Sequence, residues 1–182
     1  MVTFNELWHG APANESVSTP CIAPFDLTSL EGKIVKKGTA VFHNQCAIRL
    51  GVALKRAGVT PDMLPGLQHC AVHGRDEMHF INASQFANSL ARASIPGLGK
   101  LEKYSGTDAA QFYPKIFGRT GLIYIQDYWA RTTDRPGQPT GDHIDVWNGY
   151  RSSTKWLMEW FSWLGYYSNY AGAKEIWFWE VK

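Results

Sequence analysis

The sequence has no apolar run approaching the about 18 residues of a membrane-spanning helix, so insertion into a bilayer is not expected. It also lacks an excess of either charge. Eighteen Lys and Arg stand against 16 Asp and Glu, a net charge of +2, and the basic residues are scattered. Such a balance creates no long-range field towards nucleic acid or an anionic surface, so neither is an expected partner. The opening MVTFNELWHGAPANESV has no basic n-region and no apolar h-region, so no secretory signal is expected and synthesis in the cytoplasm is the default. Export by a route that ignores N-terminal signals stays open. Cysteine is scarce: Cys21, Cys46 and Cys70 are three, with no C-x-x-C pair. An odd, low count excludes a disulfide scaffold and gives no zinc or redox signature. Repeats, low-complexity tracts and domain linkers are missing too.

What the chain has is apolar and aromatic weight. Hydrophobic residues make up 45% and aromatics 14%, with 8 Trp, over 182 residues. These values suit one ordered globular domain spanning 1–182 rather than a disordered chain. Phe4 to about Ser29 reads as a short amphipathic start followed by irregular chain, with Pro20 and Pro24 as breakers. Ile34 to Phe42 is mixed in pattern and reads as a turn. Asn44 to Arg56 is predicted helical, because Ile48, Leu50, Val52, Ala53, Leu54 and Ala57 recur at helical spacing before Gly58. Asn82 to Ala93 is a second helix, stopped by Pro96, Gly97 and Gly99. Gln68 to Arg75 reads as a loop, and Asp108 to Phe117 is ambiguous between helix and loop.

The last third changes character. Gly121 to Tyr128 is rich in β-branched and aromatic residues and reads as a strand. His143 to Trp147 alternates and ends in Asn148-Gly149, a hairpin signal. Glu175 to Val181 is a final strand, and Trp156 to Leu164 is either a helix or a packed aromatic loop. Helices followed by an antiparallel meander predict an α+β arrangement, with N-terminal helices packed on an antiparallel sheet.

Cys46 opens the best helix in the chain. The positive end of a helix dipole and the free N–H groups of its first turn stabilise a thiolate there and can face an oxyanion. A lone cysteine is by default a small buried hydrophobe, so the reading needs a base. His43 lies too close in sequence to act from across a cleft. His69 and His73 have helical ligand spacing but no carboxylate partner segment, so a metal reading of that pair is weak. His143 opens a strand after Gly141-Asp142, with Asp145 and Trp147 on its face. Asp145 is the nearest carboxylate to orient the ring, although residues i and i+2 stand about 7 Å apart along a strand. Asp142 and Asp127 remain open as alternatives. Arg49, Asp142 and Trp147 are the candidate substrate contacts. Arg49 equally suits a structural ion pair or a surface place, and Trp147 and Tyr150 suit core and turn packing better than a sugar platform. Cys21 and Cys70 form either one disulfide in an oxidising compartment or two separate thiols. The chemistry needs no metal or cofactor.

Two segments together resemble a known family. His43-Asn44-Gln45-Cys46-Ala47-Ile48-Arg49-Leu50, with Ala53-Leu54 and Ala57-Gly58, resembles the nucleophile helix of the group-four amidase effectors of type VI secretion. Gly141-Asp142-His143-Ile144-Asp145-Val146-Trp147-Asn148-Gly149 resembles their His-bearing strand, and Gly121 to Ile125 the strand before it. The resemblance covers about a quarter of the chain. It implies a papain-like fold of the NlpC type and cleavage of the γ-D-glutamyl–meso-diaminopimelate amide in peptidoglycan stem peptides. It also implies a secretion apparatus component and a cognate immunity protein as partners, and action in the periplasm of a target bacterium. One departure stands out. The family's triad Asp lies beyond the Trp-Asn-Gly turn, where this chain reads Tyr150-Arg151-Ser152-Ser153-Thr154-Lys155. Either Asp145 has taken the role, or a hydroxyl or main-chain carbonyl orients His143. Two other readings stay in view: a housekeeping or other-substrate cysteine amidase, and a non-catalytic cell-wall or partner-binding domain.

Overall fold

A computed structural model of the chain describes residues 1–14, 19–29, 32–153 and 172–182. The segment Trp156 to Leu164 and the aromatic cluster Trp156, Trp160, Phe161, Trp163, Tyr166 and Tyr167 lie outside the described residues.

The chain starts with α1 (Phe4–Gly10), held by a capping box: Thr3 Oγ1 accepts the Glu6 N–H, and the Thr3 N–H donates to Glu6 Oε2 at 2.9 Å. Leu7 is its fully buried anchor. A two-stranded ribbon follows, β1 (Leu27–Thr28) against antiparallel β2 (Ile34–Val35). Strands of two residues carry no period-2 pattern, so the sequence shows only a turn here.

The helix α2 spans Cys46–Arg56. It starts two residues later than expected: Gln45 is the N-cap residue, and Asn44 before it stays outside the helix, its Oδ1 accepting the Cys46 N–H at 3.2 Å in an Asx turn. It ends in a Schellman motif: the Gly58 N–H donates to Lys55 O and the Val59 N–H to Leu54 O, with Gly58 at φ 83°. Leu50, Ala53 and Leu54 turn into the main core. Gly51 lets the chain at Met78 cross the helix closely, since a Cβ there would run into the Met78 carbonyl. Gly51→Ala is therefore expected to destabilise the protein by about 2 kcal/mol or more through overpacking, outweighing the about 1 kcal/mol that Ala adds to helix propensity. A chemical denaturation midpoint measures this.

Beyond α3 (Ala83–Leu90), capped by Asn82, comes a strand that the sequence reading missed, β3 (Leu101–Ser105). Two short helices, α4 (Thr107–Ala110) and α5 (Phe112–Ile116), occupy the ambiguous stretch. Strands β4 (Gly121–Trp129), β5 (Gly141–Trp147) and β6 (Glu175–Glu180) complete a four-stranded antiparallel sheet of order β3-β6-β4-β5. Its two faces are both covered. Leu122, Tyr124, Ile144, Val146, Trp177 and Trp179 face the core built with α1, α2 and α3. Ile123, Ile125, Trp147, Ile176 and Phe178 face a second core with Ala109, Phe112 and Ile116. Burial on both faces explains why β4 and β6 read as near-continuous apolar runs. Arg119 bonds Glu102 of β3 and, at 2.8 Å, Glu180 of β6, tying those strands to the entry of β4. The expected α+β architecture is what the chain adopts. No helix among the described residues is long and apolar enough to cross a membrane.

Candidate active site

Strand β5 is bordered by β4 on one side, and the start of α2 meets its other edge. The Cys46 sulfur there is hydrogen-bonded by the His143 ring and by the Ile144 N–H. All three groups of the cluster are buried: Cys46 is 7%, His143 4% and Asp145 3% exposed. Burial works against a thiolate at Cys46. The His143 hydrogen bond, its positive charge and the Ile144 N–H outweigh that penalty and hold the thiol below its ordinary value. Alkylation of Cys46 by iodoacetamide, followed by peptide mass, is therefore expected to persist at pH values below the about 8.5 of a free thiol. In His143→Ala the alkylation rate at acidic pH is expected to fall to that of an ordinary thiol.

Asp145 lies behind His143, with Oδ2 3.3 Å from Nε2, which leaves Nδ1 to face the sulfur. The rotamers bring together two side chains that strand spacing alone would hold apart. Asp145 Oδ1 accepts the Val146 N–H at 2.7 Å and the Ser153 hydroxyl. Ser153 arrives through the Asn148–Gly149 turn. Asn148 Oδ1 accepts the N–H groups of Tyr150 and Arg151, each at 3.0 Å, and Gly149 takes φ 94°. The returning chain bridges Ser152 to Trp147 and places the Ser153 N–H 2.9 Å from Val146 O. Tyr128 packs against the His143 ring, with centroids 6.3 Å apart.

The other expected site residues are placed differently. Arg49 lies partly buried on α2, one turn beyond Cys46. Asp142 serves the fold: its Oδ1 accepts the Asp127 N–H at 3.0 Å, where β4 bulges between Ile125 and Trp129 and Asp127 adopts φ 52°. Burial raises the Asp142 carboxyl above its ordinary value. Asp127 itself stands 3.8 Å from Lys174 Nζ. Trp147 is 1% exposed, edge-on to Phe112 and Tyr113 in the second core, and offers no face to a substrate. That placement corrects the expected substrate contact: the indole is consumed by packing. His69 and His73 do not act as a pair, since His69 Nδ1 lies 3.0 Å from Cys70 O while His73 turns to the sulfurs of Cys21 and Cys70.

Two supporting residues escaped the sequence reading. Ser153 was legible in principle, because a turn at Asn148-Gly149 sets it beside Val146 and hence beside Asp145. Gln45 is 1% exposed, and its amide exchanges two hydrogen bonds of 2.9 Å with the Cys21 backbone. No local pattern announces it.

A cysteine at a helix start, faced by a histidine on an antiparallel strand with a carboxylate behind it, is the arrangement of the papain-like class. The sequence model of one family, described as type VI secretion system (T6SS), amidase effector protein 4, matches residues 42–179, and the chain belongs to this family. The matched span contains Cys46, His143 and Asp145. The crystal structure of the type VI effector Tae4 from Enterobacter cloacae has the same fold, with a TM-score of 0.56 at 16% identity over 100% of this chain and 98% of that chain. Comparison with curated protein sequences returned no match. The fold is papain-like, and the chain is a type VI secretion amidase effector, an enzyme of the peptidoglycan-directed cysteine amidases.

Proposed function

We propose that the chain cleaves the γ-D-glutamyl–meso-diaminopimelate amide of stem peptides by nucleophilic catalysis from Cys46. The single observation that carries this reading is the buried Cys46–His143–Asp145 chain at the start of α2. His143 Nδ1 takes the Cys46 proton, giving a thiolate–imidazolium pair, and the sulfur attacks the glutamyl carbonyl carbon. The developing oxyanion is held by N–H groups of the first turn of α2. The Cys46 N–H is bonded to Asn44 Oδ1 at 3.2 Å, so the substrate oxygen displaces a long bond there. His143 returns its proton to the leaving diaminopimelate amine, and a thioester remains. Water, deprotonated by His143, then releases the glutamyl carboxylate and the free thiol. Asp145 keeps the proton on Nε2, and Ser153 keeps Asp145 in place. Arg49, one turn from the sulfur, is suited to a substrate carboxylate.

Delivery by the secretion apparatus puts this activity in the periplasm of a target bacterium, and a cognate immunity protein shields the producer by covering the Cys46 site. Digestion of purified sacculi, with products identified by mass, tests the bond. Glycan-linked L-alanyl-γ-D-glutamate and peptides beginning at diaminopimelate are expected. Products that retain the intact glutamyl–diaminopimelate bond overturn the assignment.

A further inference from the structure

Cys21, Cys70 and His73 form a second cluster of reactive groups that the proposed chemistry does not use. Their donor atoms make a nearly equilateral triangle: Cys21 Sγ to Cys70 Sγ 3.4 Å, Cys70 Sγ to His73 Nδ1 3.4 Å, and Cys21 Sγ to His73 Nδ1 3.6 Å. Tetrahedral zinc with Zn–S of about 2.3 Å and Zn–N of about 2.0 Å sets its donors about 3.8 Å (S to S) and about 3.5 Å (S to N) apart. A disulfide would draw the two sulfurs together but would leave the imidazole, equally close to both, without a role. A fourth candidate donor stands alongside. His79 is 5% exposed, its ring lies 4.5 Å from that of His73, and its Nδ1 is buried with no hydrogen-bond partner among the described residues. It lies outside the set of donors already within 4.8 Å of one another, so its ring must rotate to join them.

We infer that Cys21, Cys70 and His73, with His79 as the fourth donor, bind one zinc ion as a structural site. Binding expels two thiol protons to solvent and leaves a neutral site of two thiolates and two imidazoles. The place of the cluster gives the ion its task. Cys21 belongs to the irregular N-terminal chain, while Cys70, His73 and His79 belong to the loop that crosses α2 near Gly51. Ile48 of α2 packs against them, in one apolar cluster with Cys21 and Cys70. Gln45, the neighbour of Cys46, is bonded through its amide to the Cys21 backbone. The ion thus clamps two loops onto the segment that presents the nucleophile, without touching substrate. Its binding is independent of the reaction proposed for Cys46.

The test uses the full chain, reduced and then given one equivalent of zinc or of cobalt(II) without added thiol. One zinc per chain is expected by elemental mass spectrometry. The cobalt form is expected to show a thiolate-to-metal charge-transfer band and the intense visible bands of a tetrahedral site. Cys21→Ser, Cys70→Ser and His73→Ala are expected to weaken zinc binding at least about 100-fold, the upper end of the effect of losing a mere outer-shell partner. Cys46→Ser is expected to bind as the parent does. The cobalt spectrum needs no variant, so a misfolded substitution does not rescue the proposal. An intact mass two hydrogens below the reduced chain in the presence of zinc, with Cys21 and Cys70 linked, overturns it in favour of a disulfide. So does a cobalt spectrum without thiolate character, or loss of the metal in Cys46→Ser.

Discussion

Cys46→Ala is expected to abolish release of soluble peptides from sacculi, lowering turnover by about 10,000-fold or more, as removal of a nucleophile does in hydrolases of this logic. The fold should survive, because the side chain contributes one small buried group among the apolar residues of α2. Far-UV circular dichroism and the denaturation midpoint check that. His143→Ala should cost about as much, and the double variant little more than either, since thiolate and imidazole act as a unit. Activity within tenfold of the parent in Cys46→Ala would remove the nucleophile assignment altogether.

Asp145→Asn is expected to lower kcat by about 100- to 10,000-fold with a small change in KM. The physical reason is the tautomer. Asp145 Oδ2 facing Nε2 holds the ring proton there, so Nδ1 is free to accept from the thiol. An amide nitrogen in that place donates to Nε2 instead and drives the ring proton onto Nδ1, against the sulfur. The isosteric change keeps an oxygen for the Val146 N–H and the Ser153 hydroxyl, so stability should fall little. Ser153→Ala removes one hydrogen bond to a buried carboxylate, worth about 1.5–3 kcal/mol, which is about 10- to 100-fold if all of it appears in kcat. Full turnover in Asp145→Asn would mean that another group orients His143.

Much of this arrangement is readable in the residues. The helical recurrence from Ile48 to Ala57 with Gly58 marks α2 to within two residues at its start, and the apolar runs at Gly121 and Glu175 mark β4 and β6 because both faces of those strands are covered. The α+β order follows from them. Strand β3 escapes because Leu101–Ser105 is an edge strand whose Glu102 and Lys103 give it the polarity of a loop, and its place is set by pairing with a strand more than 70 residues later. At the site, Cys46 and His143 are legible from their positions at a helix start and a strand start. The contact of Asp145 with His143 is legible only as a candidate, since it depends on the side-chain rotamers of two residues on one strand. Trp147 shows the converse: alternation puts it on the face of His143, but that face runs from the site into the second core within four residues. Gln45 answers to no local rule, because its partner Cys21 comes from a separate stretch of chain.

The Ile144 N–H that steadies the sulfur has a second effect. An outer strand with its backbone donors exposed invites pairing with another chain. Here the donor at the middle of β5 points into the start of α2 and is already spent on Cys46. The nucleophile helix is thus also a cover against aggregation, and substitutions that loosen α2 should precipitate the protein as well as silence it.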